Sequence, residues 1–163
     1  MAKNPDPMLE LTTTTGITRT LDDWTTMFHL CLVVLPARPE AAIYVPIGRR
    51  IFATFGDADC NCSFVVTGPA SVADRLLGPV ERDALTFVDP DLTLVQSLGL
   101  ERLPAFVHLI QDTTVLDAAQ GWEPTEWKRV ANAVGDVLAW TVPLVARPGD
   151  PPATRGWAVS EAA

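Results

Sequence analysis

Basic residues are scarce in this 163-residue sequence. Only 12 Lys and Arg stand against 20 Asp and Glu, which gives a formal net charge of −8 and a pI near 4.6. Such an acidic surface repels phosphate backbones and anionic lipids, and the densest basic cluster is the pair Arg49-Arg50. The composition therefore predicts neither nucleic-acid binding nor binding to a membrane surface.

Long hydrophobic runs are also missing. The longest charge-free apolar stretch, residues 137–146, is about half of what a bilayer-spanning helix needs and is interrupted by Pro143. The polar, Thr-rich residues 1–16 have neither the apolar region nor the cleavage site of a secretory signal. From these two absences we expect a cytoplasmic protein.

Cysteine is limited to Cys31, Cys60 and Cys62. An odd number of cysteines without an export signal predicts reduced thiols rather than a disulfide framework. Cys31 lies inside the apolar run 30–35, where a free cysteine acts as a small hydrophobe. A closed zinc site needs four ligands, and no second Cys/His pair accompanies residues 60–62, so we expect no metal and no cofactor.

The pair Cys60-Asn61-Cys62 is the sharpest chemical feature of the chain. In an extended strand the two residues lie about 7 Å apart on one face, whereas a disulfide needs Cβ atoms about 4 Å apart. A bridge between them therefore requires a turn at Asn61. The nearby carboxylates of Asp57 and Asp59 would raise the pKa of a thiol at this position.

Periodicity divides the chain into two loose ends and one domain. Residues 1–16 and the Pro/Gly/Ala-rich tail 147–163 are predicted to be flexible, and residues 17–146 to fold. The pattern predicts strands at 30–35, 63–67, 105–110 and 114–119, and helices at 40–55, 71–77, 92–98 and 124–140. This order predicts an α/β fold with a central mixed β-sheet flanked by helices on both faces.

Several residues give the chain a resemblance to the thioredoxin superfamily. Leu103-Pro104-Ala105-Phe106 stands between a helix ended by Gly99 and the hairpin, where that family has its cis-proline loop. Pro46 matches the proline of the family's active-site helix, and Gly121 matches a glycine before its last helix. The resemblance covers roughly residues 22–144 and implies a thioredoxin-like fold.

One departure from the family is decisive for the predicted function. The family's CxxC motif lies at the start of the helix after the first long strand, where the helix N-terminus lowers a thiol pKa. That position is Arg38-Pro39-Glu40-Ala41 here and contains no cysteine. The resemblance then implies a redox-inactive member that docks a protein or peptide partner on Leu103 and Pro104, with Arg38, Pro39 and Glu40 as the opposite lip.

The main interpretation is thus a protein-binding, chaperone or assembly accessory module rather than an enzyme. The alternative is an atypical thiol-disulfide oxidoreductase that uses Cys60 and Cys62 as its catalytic pair. A homodimer is a third reading, because hydrophobic residues make up 48% of the chain. His108 is expected to be a packed, hydrogen-bonded histidine, since it shares a strand face with Phe106.

Overall fold

The computed structural model describes residues 1–78 and 85–161. The strands of this part are β1 (Glu10–Thr13), β2 (Thr18–Thr20), β3 (His29–Leu35), β4 (Cys60–Val66), β5 (Thr86–Val88), β6 (Arg102–Leu103), β7 (Ala105–Leu109), β8 (Val115–Gln120) and β9 (Trp157–Ala158). Its α-helices are α1 (Leu21–Trp24), α2 (Val45–Phe55), α3 (Ala70–Leu77), α4 (Thr93–Ser97) and α5 (Pro124–Leu138). None of them is long and apolar enough to cross a membrane.

The main sheet has the strand order β2-β1-β5-β4-β3-β7-β8. Strand β3 pairs parallel with β4 and antiparallel with β7, and β7 continues antiparallel to β8. The sheet is therefore mixed, as predicted. Parallel pairing of β3 and β4 follows from the helical crossover between them.

Strand β3 supplies side chains to two cores because successive residues of a strand point to opposite faces. Its odd-numbered residues 31–35 pack with residues of α2 and α5, and its even-numbered residues 30–34 pack with residues of α4. All of these side chains are buried, and each large aliphatic one contributes about 1.5–3 kcal/mol. The α/β architecture with a mixed sheet between helices is thus confirmed.

Two elements differ from the sequence-based expectation near the sheet. The helix predicted over 40–55 is a 3₁₀ helix, Pro39–Tyr44, followed by α2. Pro46 lies in the first turn of α2, where a missing N–H removes no helical hydrogen bond, so it is compatible with the start of this helix. Strand β4 begins at Cys60 rather than at residue 63, which brings both cysteines into the sheet.

Both ends of the chain contact the domain. Within residues 1–16, for which flexibility was predicted, β1 pairs with β5 and extends the sheet. Within the tail, described as far as residue 161, β9 pairs antiparallel with β6. A bidentate ion pair from Arg50 of α2 to Asp150, with distances of 2.8 and 2.9 Å, fixes the start of the tail.

Candidate functional site

The three cysteines of the chain converge on one face of the sheet. Cys31 lies directly opposite Cys62 in the β3–β4 register, and His29 lies opposite Cys60. Because residues i and i+2 of a strand share a face, all three thiols point toward the core formed with α2 and α5. The Sγ atoms of Cys60 and Cys31 are 2.9 Å apart, and all three sulfurs lie within 4.8 Å of one another.

Two histidines border this thiol cluster, the sulfurs of Cys31, Cys60 and Cys62. His108 of β7 pairs with Cys31 on the side of β3 opposite β4. Its Nε2 lies 2.9 Å from Nδ1 of His29, and the two rings stack with centroids 5.1 Å apart. His108 is fully buried, and its Nδ1 has no hydrogen-bond partner among the described residues.

Hydrogen bonds among the three thiols give them different pKa values. The pKa of Cys60 is lowered, because Cys31 and then Cys62 stabilise its thiolate through hydrogen bonds. The pKa of Cys31 is raised by its hydrogen bonds to the other two sulfurs and by burial. At Cys62 the hydrogen bond with Cys31 lowers the pKa. Three other effects outweigh that hydrogen bond, so the pKa of Cys62 is raised: the hydrogen bond with Cys60, burial, and the charge on Cys60. Of the three thiols, Cys60 is thus the one with the lowered pKa and the most acidic.

His108 is a neutral imidazole near pH 7. Burial lowers its pKa to about 4, and the charge of Cys60 offsets this only in part. One ring nitrogen of a neutral imidazole donates and the other accepts. A proton accepted at Nδ1 of His108 can therefore leave from its Nε2 to His29, which in turn releases a proton to solvent.

Access to the cluster is restricted. Cys31 is fully buried, Cys60 is 5% exposed and Cys62 is half-buried. Beside them, His29 lines an open cleft of about 430 Å³ together with Ile110, Gln111, Asp112, Leu116 and Val137. Through its contact with His29, the buried His108 is therefore one hydrogen bond away from a residue that borders this cleft.

The thiol cluster lies at the end of the sheet opposite the family's reactive position. Residues 38–41 follow the C-terminal end of β3, whereas Cys31 is near its start, about 13 Å away from Leu35 along the strand. Helix α2 ends at Phe55 shortly before Cys60. The thiols therefore adjoin the C-terminal end of a helix, and its dipole does not favour a thiolate.

The residues predicted to bind a partner contact the chain's own tail. The Leu103–Pro104 peptide bond is cis, and Leu103 pairs with Trp157 in the β6–β9 ribbon. The guanidinium of Arg38 lies 5.2 Å from the ring centroid of Trp157 and 3.8 Å from the carboxylate of Glu40. Pro39 opens the 3₁₀ helix beside them. The backbone of Leu103 is thus occupied within the molecule, and the predicted binding of an external partner there stays a prediction.

Sequence reasoning missed Cys31 as part of the cluster. Its position in an apolar run predicts a packed side chain, and it is indeed fully buried. The missing information was the register of β3 against β4, which decides whether residue 31 faces residue 62 or its neighbours. An earlier start of β4 would have been the signal, since residues 60–62 then pair with 29–31.

No protein-family model and no curated protein matches the chain. Among solved structures, a putative thiol:disulfide interchange protein DsbE from Chlorobium tepidum is similar with a TM-score of 0.68 at 17% identity, over 85% of this chain and 98% of that one. DsbF from Mycobacterium tuberculosis has a TM-score of 0.62 at 16% identity, over 78% and 96%. The peroxidoxin BcpB of the same organism has a TM-score of 0.59 at 20% identity, over 74% and 86%.

These findings correct the functional interpretation. The prediction of a redox-inactive binding, chaperone or assembly module is wrong: three thiols contact one another in a fold whose neighbours are described as thiol–disulfide oxidoreductases and peroxiredoxins. The missing CxxC excludes thiol chemistry only at residues 38–41 and says nothing of the other end of the sheet. The chain has a thioredoxin-like fold.

Proposed function

We propose that this protein is a thiol–disulfide oxidoreductase that uses the thiol cluster. The observation that carries the proposal is the 2.9 Å separation of the Cys60 and Cys31 sulfurs on adjacent strands. Two thiols at this distance can form a disulfide with a small shift, because the S–S bond is about 2.05 Å long. The predicted pair Cys60 and Cys62 gains a third member in Cys31.

The reaction follows from the acidity order of the cluster. The Cys60 thiolate attacks a substrate disulfide R–S–S–R′, which forms a mixed disulfide and releases R′–S⁻ to take a proton from solvent. Cys31 then loses its proton and attacks the Cys60 sulfur, which releases R–S⁻. The protein loses two electrons to the substrate, whose disulfide becomes two thiols.

The proton of Cys31 needs a path out of the core. His108 is the cross-strand neighbour of Cys31, and its Nδ1 is without a partner in the described part of the chain. A proton accepted there releases the Nε2 proton to His29, which borders the open cleft. We assign the two histidines to this relay.

The burial of the sulfurs argues for a small substrate. Cys60 is only 5% exposed, so a folded protein disulfide cannot reach it without local opening. A low-molecular-weight disulfide needs less space. We therefore propose small disulfides as the substrate class, with half-buried Cys62 at the entrance.

The test measures reduction of a small aromatic disulfide and of insulin by the dithiothreitol-reduced protein, in wild type and in the variants Cys60→Ser, Cys31→Ser and Cys62→Ser. We expect turnover of the small disulfide above the reagent blank, abolished in Cys60→Ser. In Cys31→Ser the mixed disulfide should accumulate and be visible by mass spectrometry, because its resolving thiol is missing.

Two results would contradict the proposal. The first is a wild-type rate equal to the reagent blank with both substrates, while the thiols titrate as free in denaturant. The second is an equal loss of activity in all three variants while each of them keeps the native circular-dichroism spectrum. Faster reduction of insulin than of the small disulfide would overturn the substrate class alone.

A further inference from the structure

We propose that the reduced thiol cluster binds a zinc ion, with Cys31, Cys60 and Cys62 as thiolate ligands and His108 as the fourth. The sequence alone predicts no metal, because only Cys60 and Cys62 are close together along the chain. The fold brings Cys31 of β3 next to this pair and places His108 of β7 opposite Cys31 in the sheet. A Cys₃His set is one of the common structural zinc sites.

The sulfur positions fit one metal ion. Zinc–sulfur bonds are about 2.3 Å long, so two thiolates of a tetrahedral site lie about 3.8 Å apart. The three sulfurs here lie within 4.8 Å of one another, with the closest pair at 2.9 Å. Small side-chain adjustments therefore bring all three into bonding distance of a single ion.

His108 provides a second, independent observation that points to a ligand. Its side chain is fully buried, yet its Nδ1 has no partner among the described residues, and a buried polar atom without a partner is costly. It lies opposite Cys31 on the same face of the sheet, but its ring nitrogens are not part of the group of three sulfurs within 4.8 Å of one another, so its ring must move toward the ion to bind. Its Nε2 contacts His29, which matches the outer hydrogen bond that orients most metal-bound histidines.

Charge favours a cation in the same place. Three thiolates in the core would repel one another, so without a cation they cannot ionise together. Zn²⁺ removes this repulsion and displaces the thiol protons. Helix α2 ends at Phe55, next to the cluster, and the C-terminal end of a helix stabilises positive charge. The end of α2 thus favours a cation beside the sulfurs.

Zinc binding and disulfide exchange would use the same sulfurs and exclude each other. Zinc needs three reduced thiols, whereas exchange needs only that the metal-free thiols react with a disulfide. The inference therefore goes beyond the proposed function and can fail or succeed separately from it.

The test uses the full-length reduced protein, freed of metal with a chelator and titrated anaerobically with Zn²⁺ and, as a spectroscopic probe, Co²⁺. We expect one ion per chain, a thiolate-to-cobalt charge-transfer band that Zn²⁺ removes, and release of more than one proton per Zn²⁺ at neutral pH. Proton release is read on the wild type, so it does not depend on a variant that folds.

Matched variants locate the site. Cys62→Ser changes the most exposed ligand, and His108→Gln changes the proposed fourth one. In the first we expect the affinity for Zn²⁺ to fall by more than about a hundredfold, because even the loss of an outer-shell partner of a ligand costs about 10- to 100-fold. In the second we expect the cobalt spectrum to change. Asp59→Asn is the control, because this exposed carboxylate lies in the loop directly before Cys60 and is not a proposed ligand. It should leave affinity and spectrum unchanged.

A wild-type protein without a charge-transfer band, or one that releases no protons on binding Zn²⁺, would overturn the inference. So would a loss of affinity in Asp59→Asn equal to that in Cys62→Ser. Disulfide exchange, measured on the metal-free protein in parallel, separates the two proposals: exchange without zinc binding removes only the metal site, and zinc binding without exchange removes only the oxidoreductase.

Discussion

Cys31 and Cys60 lie on adjacent parallel strands, diagonal to each other, with their sulfur atoms 2.9 Å apart. Cys62 lies on the same strand and the same face as Cys60. The two nearest neighbours along the sequence are therefore not the two nearest sulfurs. This relationship decides which disulfide the oxidised protein should contain.

We expect oxidation to link Cys31 to Cys60 rather than Cys60 to Cys62. Cys60 and Cys62 lie two residues apart on one strand. They could reach disulfide geometry only if the extended backbone of β4 were broken. Unreduced tryptic mapping separates the two outcomes, because the cleavage sites Arg49 and Arg50 stand between Cys31 and Cys60. A cross-strand bond joins two peptides, whereas a Cys60–Cys62 ring stays within one.

The variant Cys62→Ser is the control for this mapping. It should still yield two joined peptides after oxidation, because only Cys31 and Cys60 remain. A wild-type digest in which the peptide with residues 60–62 is two hydrogens lighter and joined to nothing would contradict the assignment.

The histidine relay predicts a kinetic effect without a large loss of stability. His29→Gln removes the outer imidazole, which is half-buried at the open cleft, and should slow disulfide exchange about 100-fold, at the lower end of the usual range for proton transfer by a positioned side chain. Stopped-flow reduction of a small disulfide measures the rate, and urea unfolding measures the stability.

Leu116→Ala tests whether the cleft alone matters. Leu116 lines the same cleft, is 44% exposed and carries no ionisable group. Its variant should exchange disulfides at the wild-type rate. Equal slowing in both variants would show that the shape of the cleft, not the imidazole, controls the reaction.

The fold could be predicted from the sequence, but the site could only be predicted in part. The apolar run 30–35 predicts a strand buried on both faces, and β3 has that form. Hydrophobic periodicity reports burial, however, and not register. Whether Cys31 meets Cys62 or points away from it depends on one residue of shift, which no local pattern encodes.

The C-terminal tail shows a second limit of prediction from sequence. Its Pro and Gly content predicts a flexible segment, because such residues form neither helices nor regular strands. In the structure Trp157 pairs with Leu103 and packs edge-on against Tyr44, with ring centroids 6.1 Å apart. This docking depends on a surface made by residues more than fifty positions away, so the tail's own composition cannot reveal it.

Gly156 should be essential for docking of the tail. Its φ is +70°, and a Cβ at this position would overlap the carbonyl oxygen of Leu103. We expect Gly156→Ala to detach β9 and to lower the free energy of unfolding by about 1–3 kcal/mol. Limited trypsin cleavage after Arg155 and the fluorescence of Trp157 report the detachment.

Gly149→Ala is the matched control, since Gly149 also has a positive φ, +93°, but nothing lies within 4 Å of its Cβ position. It should cost only the backbone strain of about 1 kcal/mol and leave trypsin sensitivity unchanged. If both variants release the tail equally, backbone strain and not the close approach to Leu103 explains the effect.

The ion pair between Arg50 and Asp150 should make stability depend on acid pH. Both side chains are mostly buried, at 13% and 14% exposure, and the hydrogen bond from Arg50 lowers the pKa of Asp150. A carboxyl whose pKa is lower in the folded protein adds stability above its unfolded pKa of about 3.9, and this stability is lost as the pH falls through the folded pKa.

Asp150→Asn should therefore lower the free energy of unfolding by about 1–3 kcal/mol at pH 7, and the difference from wild type should shrink below about pH 4. Urea unfolding at several pH values measures it. Glu126→Gln is the control, because its partner Arg129 and Glu126 itself are about half exposed and such pairs contribute little. A difference for Asp150→Asn that stays constant down to acid pH would mean that its side chain acts through packing and not through its charge.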